Sequence, residues 1–152
     1  MKKWIERIVV NYLSSLGFVH MWKDQIHGPA ERLRYRKDGR GTGCIFNTRS
    51  GTITIAQGVV VGHGCMFLTG RHLFDNGKLK QPRSEQVPSS GYDIVINEGC
   101  WIASGAVIIG GIELGAHSLV CAGAVVTKSF PPHSIVGGVP ARLISSTSSL
   151  AN

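Results

Sequence analysis

The sequence predicts an all-β solenoid, a parallel β-helix with an N-terminal amphipathic helix and a protruding loop. Aliphatic residues recur at intervals of six through the second half of the chain: Ile96, Ile102, Ile108, Leu114, Val120 and Val126. An α-helix would return its apolar face after three or four residues and a strand after two, so the repeating unit is a short strand plus a turn. Small or polar residues, often glycine, fill the intervals and permit tight corners. A fixed short period is typical of stacked coils.

If three six-residue units make one coil, residues eighteen apart should lie on top of one another. The pairs predicted in this way are all aliphatic: Ile96 with Leu114, Ile102 with Val120, and Ile108 with Val126. The upstream residues Ile55, Val61 and Phe67 follow a six-residue spacing of their own, which then stops. The interruption between residues 69 and 93 predicts a loop that leaves a regular stack.

Length and composition predict one domain with appendages. At 152 residues the chain suits a single core, and its 20 glycines suit a turn-rich solenoid. We expect a helical and basic segment at 1–40, the solenoid at 41–144 with its loop at 70–93, and a flexible tail at 145–152. The four cysteines show no CxxC spacing, which favours free thiols in a reducing, cytoplasmic setting over a disulfide framework or a metal site.

An amphipathic helix is predicted near the N-terminus. Apolar residues follow a helical spacing there: Trp4, Ile5, Ile8, Val9, Tyr12, Leu13 and Leu16. Glu6 and Arg7 interrupt this stretch, which argues against a signal peptide. Two uses of the apolar stripe stay open: packing on the solenoid end or a neighbouring subunit, and contact with a membrane surface. We expect no segment to span a bilayer.

The chain is basic, with a formal charge of +7. One run carries much of this charge: Arg32, Arg34, Arg36, Lys37 and Arg40. Nucleic-acid binding is not expected, because stacking aromatics other than Tyr35 are absent from the run and no nucleic-acid motif is found. Leu33 and Tyr35 alternate with arginines, which predicts a strand with one solvated basic face. Attraction of an anionic ligand, lipid or glycan is the alternative.

Four motifs lie in phase with the six-residue repeat: Phe67-Leu-Thr-Gly-Arg-His72, Cys100-Trp-Ile-Ala-Ser-Gly105, Val120-Cys-Ala-Gly-Ala-Val-Val-Thr-Lys128 and Gly137-Gly-Val-Pro-Ala-Arg142. With them, residues 51–144 resemble the hexapeptide-repeat acyltransferases, in the branch of maltose and galactoside O-acetyltransferases and polysaccharide O-acetyltransferases. The resemblance implies a left-handed parallel β-helix, although crossovers between parallel strands are usually right-handed. It also implies a homotrimer with active sites between adjacent subunits.

His72 is the candidate general base. Transfer of an acetyl group from a thioester to a hydroxyl needs a base for the hydroxyl proton, and imidazole suits this role at neutral pH. Among the six histidines, His72 alone lies where the solenoid breaks into a loop, and the histidine of this motif is the base in the family that the chain resembles. No Ser or Cys adjoins it in sequence, so direct transfer is expected. His63, between Gly62 and Gly64, is interpreted as a turn residue.

The resemblance implies acetyl-coenzyme A as the acyl donor and five residues that bind it. Phosphate groups need cations, and a groove along the corners needs small residues that permit close approach. The positions that match the family are Ser104, Ala122, Thr127, Lys128 and Arg142. The alternative is that the uncharged residues only shape corners and that the two cations are solvated surface charges.

Two further residues are candidates for substrate binding. Trp101 matches a tryptophan close to the active site in the family, with packing alone as the alternative. Asn47 resembles an asparagine that orients the acetyl carbonyl or stabilises its oxyanion, although its spacing to Ile55 is shorter than the match requires. Many relatives carry Asp after the loop histidine, whereas Leu73 follows His72 here. What orients His72 therefore stays open.

The sequence thus predicts an acetyl-coenzyme A-dependent O-acetyltransferase that acts on a hydroxyl of a saccharide or polysaccharide precursor. N-acetylation of an amino sugar is the alternative among enzymes, and a non-catalytic trimeric scaffold is the alternative outside them. No metal is expected, because the histidines lack the close pair found in γ-type carbonic anhydrases, which share the solenoid. The loop is expected to select the acceptor.

Overall fold

The computed structural model is a stack of short strands connected by tight corners. It describes residues 5, 8, 9, 12, 15, 23–35, 41–82 and 85–150. The predicted N-terminal helix, with Trp4 and Leu16 in its apolar stripe, lies outside the described residues except at those five single positions, and it stays a prediction. Among the residues described, no helix is long and apolar enough to cross a membrane.

The strands are two to five residues long, as a six-residue repeat requires. In chain order they are β1 (Gln25–His27), β2 (Leu33–Tyr35), β3 (Ile45–Asn47), β4 (Ile53–Ile55), β5 (Val60–Val61), β6 (Met66–Leu68), β7 (Phe74–Asp75), β8 (Lys78–Leu79), β9 (Ile94–Ile96), β10 (Trp101–Ile102), β11 (Val107–Ile109), β12 (Ile112–Leu114), β13 (Leu119–Val120), β14 (Val125–Val126), β15 (Ser134–Gly137) and β16 (Arg142–Ser146). Short 3-10 helices lie at Ala30–Arg32 and Thr147–Ser149.

Three sheets of parallel strands form the sides of a triangular coil. Sheet A contains β1, β3, β6, β11 and β14, sheet B contains β2, β4, β9 and β12, and sheet C contains β5, β10, β13 and β15. Strand β16 closes sheet C by antiparallel pairing with β15. From β3 to β14, apart from the loop strands β7 and β8, consecutive strands lie in sheets A, B and C in turn, so each strand pairs with its equivalent in the next coil. This architecture is the predicted parallel β-helix.

The predicted stacking of residues eighteen apart is confirmed by the strand registers. Ile96 pairs with Leu114, Ile102 with Val120, and Ile108 with Val126. The upstream residues join the same columns: Ile55 pairs with Ile96, Val61 with Ile102, and Phe67 with Ile108. The loop between β6 and β9 is therefore inserted into the coil without changing the phase of the stack.

Each six-residue unit buries two positions, and the aliphatic period showed only one of them. The second lies two residues before each aliphatic and is also buried: Ile53, Val59, Cys65, Ile94, Cys100, Ala106, Ile112, Ser118 and Ala124. In the N-terminal coils the rings of Phe46 and Phe67 stack with centroids 5.2 Å apart.

The strand predicted at Leu33 and Tyr35 is confirmed as β2, in which Arg34 is exposed between two half-buried neighbours. The stacked sheets extend beyond the predicted solenoid on both sides. Strands β1 and β2 lie upstream of residue 41 and pair with β3 and β4, while β16 continues to Ser146. The domain boundaries remain predictions, and among the described residues strand pairing in the coil begins at Gln25.

The predicted loop contains a β-hairpin formed by β7 and β8. Its turn lies at Asn76 and Gly77, whose φ angles are 47° and 75°, a backbone region that asparagine and glycine tolerate well. At the base of the hairpin, the Leu73 amide donates to the carbonyl oxygen of Gln86 over 2.7 Å. Phe74 is exposed on the hairpin, so the loop presents an apolar side chain to its surroundings.

The four cysteines are free thiols, as the sequence predicts. Cys44, Cys65 and Cys100 are buried in the coil, and Cys121 is half-buried. Hydrogen bonding with Cys44 and burial raise the pKa of the Cys65 thiol above its ordinary value. Burial also raises the pKa of Cys100. The two core thiols therefore stay protonated in the folded protein at neutral pH.

Because of these buried thiols, the free energy of unfolding is expected to decrease above about pH 9. The folded chain keeps the Cys100 proton, whereas the unfolded chain releases it near the ordinary pKa of 9.0. Below that pH the thiol is protonated in both states and does not change the free energy of unfolding. Above it, release of the proton stabilises only the unfolded chain, so the free energy of unfolding falls as the pH rises. Urea unfolding at about pH 7.5 and about pH 10 measures the change in the free energy of unfolding. Cys100→Ala should reduce this change, and an equal change in both proteins would contradict the prediction.

Candidate active site

The loop leaves the solenoid at the corner between sheets A and B, and it carries the histidine singled out by the sequence. Thr69 follows β6 and is buried, while Gly70, Arg71 and His72 are exposed. Within the described part of the chain, no side chain is hydrogen-bonded to the His72 ring.

Asn47 lies against the first residues of the loop. It ends β3, where it pairs with Leu68 of β6 in sheet A. A Cβ atom placed on Gly70 would lie 2.5 Å from Asn47 Nδ2, so a larger residue at this position would displace the Asn47 amide. Asn47 Oδ1 accepts a hydrogen bond from the Arg49 amide over 3.1 Å. The structure thus brings Asn47 together with the segment that carries His72, although they belong to different coils.

Four of the donor-site candidates lie at two corners of the solenoid, and all four are exposed. Ser104 and Ala122 occupy successive coils at the corner between sheets C and A, where the Gly123 amide donates to the Ser104 carbonyl oxygen over 3.1 Å. Thr127 and Lys128 follow β14 at the corner between sheets A and B, the corner from which the loop leaves two coils earlier. The two corners border the same sheet, sheet A.

Arg142 lies at the C-terminal end of the coil. Its Nη1 donates to the carbonyl oxygens of Pro140 and Ala141, over 3.3 and 2.9 Å. The Ala141 amide in turn donates to the Val125 carbonyl oxygen over 2.7 Å, which holds this segment on the last strand of sheet A. Because a guanidinium has five N–H donors, the exposed Arg142 retains donors for an anion.

Lys128 adds a second cation beside sheet A. Its Nζ lies 5.5 Å from the centre of the Phe130 ring, a cation–π distance. Phe130 itself is buried and continues the sheet B column beside Leu114. The core therefore supports the position of an exposed ammonium group.

Trp101 lies on a different side of the coil from His72. It is 51% exposed on sheet C, paired with Val60 and Leu119. Sheet C is the side of the triangle opposite the corner between sheets A and B, from which the loop leaves. A single chain therefore does not bring the Trp101 indole and the His72 imidazole together.

His63 belongs to the column of corner residues that includes Ser104. Its amide donates to Ser104 Oγ over 3.2 Å, and its Nδ1 accepts from the Thr42 amide over 3.3 Å. These bonds join three consecutive coils at the corner between sheets C and A. They agree with its interpretation as a turn residue.

The residues that the structure describes contain no group of three or more His, Cys, Asp or Glu side chains arranged to hold a metal ion. His117 and His133 stack with ring centroids 5.3 Å apart at the corner between sheets B and C. This pair lies outside the region that contains His72 and Asn47.

Sequence reasoning overlooked two buried hydroxyl residues behind the loop, Ser50 and Thr69. The Ser50 amide donates to Thr69 Oγ1 over 3.1 Å, which joins two successive coils next to the interruption. The available signal was a Ser or Thr at the corner positions directly beside the break. This signal is not specific, because Ser and Thr also serve as ordinary turn formers.

A three-sided parallel β-helix with a six-residue period is the architecture of hexapeptide-repeat proteins. This chain belongs to the hexapeptide-repeat transferase family. Residues 93–128 match the family described as "Bacterial transferase hexapeptide (six repeats)". A hexapeptide-repeat-containing acetyltransferase of Vibrio cholerae O1 biovar eltor, solved with acetyl coenzyme A, is 30% identical with a TM-score of 0.56, and the match covers 82% of this chain and 68% of that one. Membership implies the left-handed form of the coil.

Two curated relatives are enzymes with different acceptors in their names. Serine acetyltransferase 2 of Arabidopsis thaliana is 34% identical over 104 residues, which cover 68% of this chain and 29% of the relative. Galactoside O-acetyltransferase of Escherichia coli (strain K12) is 31% identical over 93 residues, which cover 61% of this chain and 43% of the relative. The chain thus spans less than half the length of these relatives.

Proposed function

We propose that this protein is an acetyl-coenzyme A-dependent O-acetyltransferase that acts on a hydroxyl of a saccharide or polysaccharide precursor. The observation that carries the proposal is the position of His72, on the loop that leaves sheet A beside Asn47. Family membership and the Vibrio cholerae relative solved with acetyl coenzyme A support the choice of donor.

In the proposed reaction, His72 accepts the proton of the acceptor hydroxyl as its oxygen attacks the thioester carbonyl carbon. The new C–O bond forms, the C–S bond breaks, and the His72 imidazolium gives its proton to the leaving thiolate, so that coenzyme A departs as the free thiol and the base is restored. Asn47 Nδ2 donates to the carbonyl oxygen, whose negative charge grows in the transition state. An acyl intermediate on Cys65 or Cys100 is disfavoured because both thiols are buried and their pKa values are raised.

The donor is proposed to lie along sheet A and its two corners. Ser104 and Ala122 line one corner, Thr127 lies at the other, and Lys128 and Arg142 receive the phosphate groups. A three-residue strand is only about 10 Å long, so an extended ligand can reach both corners.

We propose that the site is completed in a homotrimer, with active sites between adjacent subunits. Trp101 and His72 lie on different sides of one coil. A neighbouring subunit therefore has to present Trp101 toward His72 if both are to touch the same acceptor. The exposed Phe74 on the hairpin is suited to contact that neighbour.

Lys128→Ala and Arg142→Ala are each expected to raise the KM for acetyl-coenzyme A by about 10-fold, with kcat changed by less than about twofold. A charge-assisted hydrogen bond to a phosphate is distant from the reacting atoms, so it stabilises the ground state and the transition state equally. Steady-state thiol release measures both constants. Lys78→Ala on the hairpin, also an exposed lysine, is the matched control, and an unchanged KM in both donor-site variants would contradict the assignment.

The proposed activity is tested by thiol release from acetyl-coenzyme A with a panel of acceptors. The panel contains galactosides and maltose, L-serine because a serine acetyltransferase is among the relatives, and amino sugars. We expect the highest turnover with a saccharide hydroxyl and a product labile to mild base. A base-stable product would indicate N-acetylation. Calorimetry that detects no binding of coenzyme A would overturn the proposal in favour of a trimeric scaffold.

A further inference from the structure

Ser50 is fully buried, with 0% of its surface exposed, and all three of its polar groups bind the ends of the loop. Its amide donates to Thr69 Oγ1 over 3.1 Å, and its Oγ accepts from the Arg71 amide over 3.3 Å. Its carbonyl oxygen accepts from the Tyr92 amide over 3.1 Å. Thr69 and Arg71 belong to the departing end of the loop and Tyr92 to the returning end. One residue of the first coils therefore holds both ends.

Thr69 extends this network to Asn47. Its Oγ1 accepts from Ser50 and donates to the Asn47 carbonyl oxygen over 2.7 Å. The Thr69 amide donates to the same carbonyl oxygen over 3.0 Å. The backbones of Asn47 and of the residues before His72 are thus joined through two buried hydroxyl groups.

The returning end of the loop is held by two further contacts. Arg32 Nη1 donates to the carbonyl oxygen of Ser89 over 2.7 Å and to that of Arg49 over 3.3 Å. The guanidinium of Arg71 lies 5.4 Å from the centre of the Tyr92 ring, so it joins the two ends directly. The base of the loop is closed on the corner that contains Ser50.

We propose that Ser50 is a positioning residue for His72. Arg71 directly precedes His72, and its amide hydrogen bond to Ser50 Oγ fixes the peptide from which the imidazole extends. The position of this peptide decides where the exposed His72 side chain begins. Without the hydroxyl, the loop samples orientations in which His72 does not reach the acceptor proton. The inference rests on the proposed function, in which His72 is the base.

The chain offers a matched control for the loss of this hydroxyl. Ser118 is also buried, at 1% exposure, at the corner between sheets B and C. Its Oγ accepts from the Ser134 amide over 3.1 Å and donates to the Pro131 carbonyl oxygen over 3.3 Å. Ser50→Ala and Ser118→Ala therefore each remove one buried hydroxyl that accepts a hydrogen bond from a backbone amide. They differ in whether that amide precedes His72.

Ser50→Ala is expected to lower kcat by about 5- to 50-fold and to leave the KM for acetyl-coenzyme A within about twofold. Ser118→Ala should keep the wild-type kcat while its thermal unfolding midpoint falls by a similar amount. Thr69→Val should also lower kcat, and Thr69→Ser, which keeps the hydroxyl, should restore most of it. Thiol release with a saturating acceptor measures the kinetic constants.

Amide hydrogen exchange reports on the loop independently of turnover. Ser50→Ala should accelerate exchange at Arg71 and leave the core strands protected. Faster exchange at Arg71 with the same kcat as Ser118→Ala would overturn the positioning role while the proposed function stands. Wild-type turnover in His72→Ala would overturn the proposed function itself, and this inference with it.

Discussion

Replacing His72 by alanine is expected to lower kcat for acetyl transfer by about 100- to 10,000-fold. The variant lacks the base that takes the acceptor proton in the transition state, while the donor-site residues at the corners are unchanged. Binding of coenzyme A, measured by calorimetry, should therefore stay within about twofold of the wild-type value. Thiol release with a saturating acceptor measures the turnover.

A second histidine serves as the control for this substitution. His133 is exposed at the corner between sheets B and C with a φ angle of 63°. His133→Asn retains a residue that tolerates this backbone conformation, and it should keep the wild-type turnover. His72→Asn should be as inactive as His72→Ala. Near-normal thiol release by either His72 variant, with an acceptor that the wild type uses, would exclude His72 as the base.

Phe67→Ala is expected to lower the free energy of unfolding by about 3–5 kcal/mol. The Phe67 side chain is 0% exposed, and its ring lies nearly parallel to that of Phe46 with centroids 5.2 Å apart. Its removal leaves a cavity inside the coil, and neighbours on adjacent coils cannot collapse into the space without breaking strand pairing. Urea unfolding at one fixed protein concentration measures the loss.

The hairpin provides a control of the same chemical type. Phe74 is 66% exposed, so Phe74→Ala should change the free energy of unfolding by less than about 0.5 kcal/mol. A similar loss in the two variants would show that Phe67 is not the large core contact that the stacking indicates. A larger loss for Phe74 would place that residue in a stable subunit interface.

The stacking registers were the part of the fold most open to sequence reasoning. In a coil of three equal sides, each inward residue has to meet its equivalent one coil away, so a spacing of eighteen translates directly into contacts such as Ile102 with Val120. The second buried position escaped because residues as different as Cys100, Ile112 and Ser118 occupy it. When residues of different chemical types occupy equivalent positions, the sequence shows no periodic pattern there.

The candidate site could be predicted only in part. The interruption of the repeat indicated His72 as a candidate, because a loop inserted into a regular coil does not contribute to the stacking of the coils. The contacts of Ser50 with Thr69 and Tyr92 could not be read from the chain, because they join residues of different coils across an insertion of irregular length. Hydrogen bonds between such segments follow no repeat.

The sequence by itself determined the β-helix, its coil length and the place where the coil opens, because each depends on a repeated burial pattern that every coil must satisfy. Only the tertiary structure decided how the opening is held. It placed Asn47 against Gly70, put Trp101 on another side of the coil, and joined both ends of the loop to Ser50. These are single contacts between distant segments, and their geometry depends on the packed backbone rather than on periodicity.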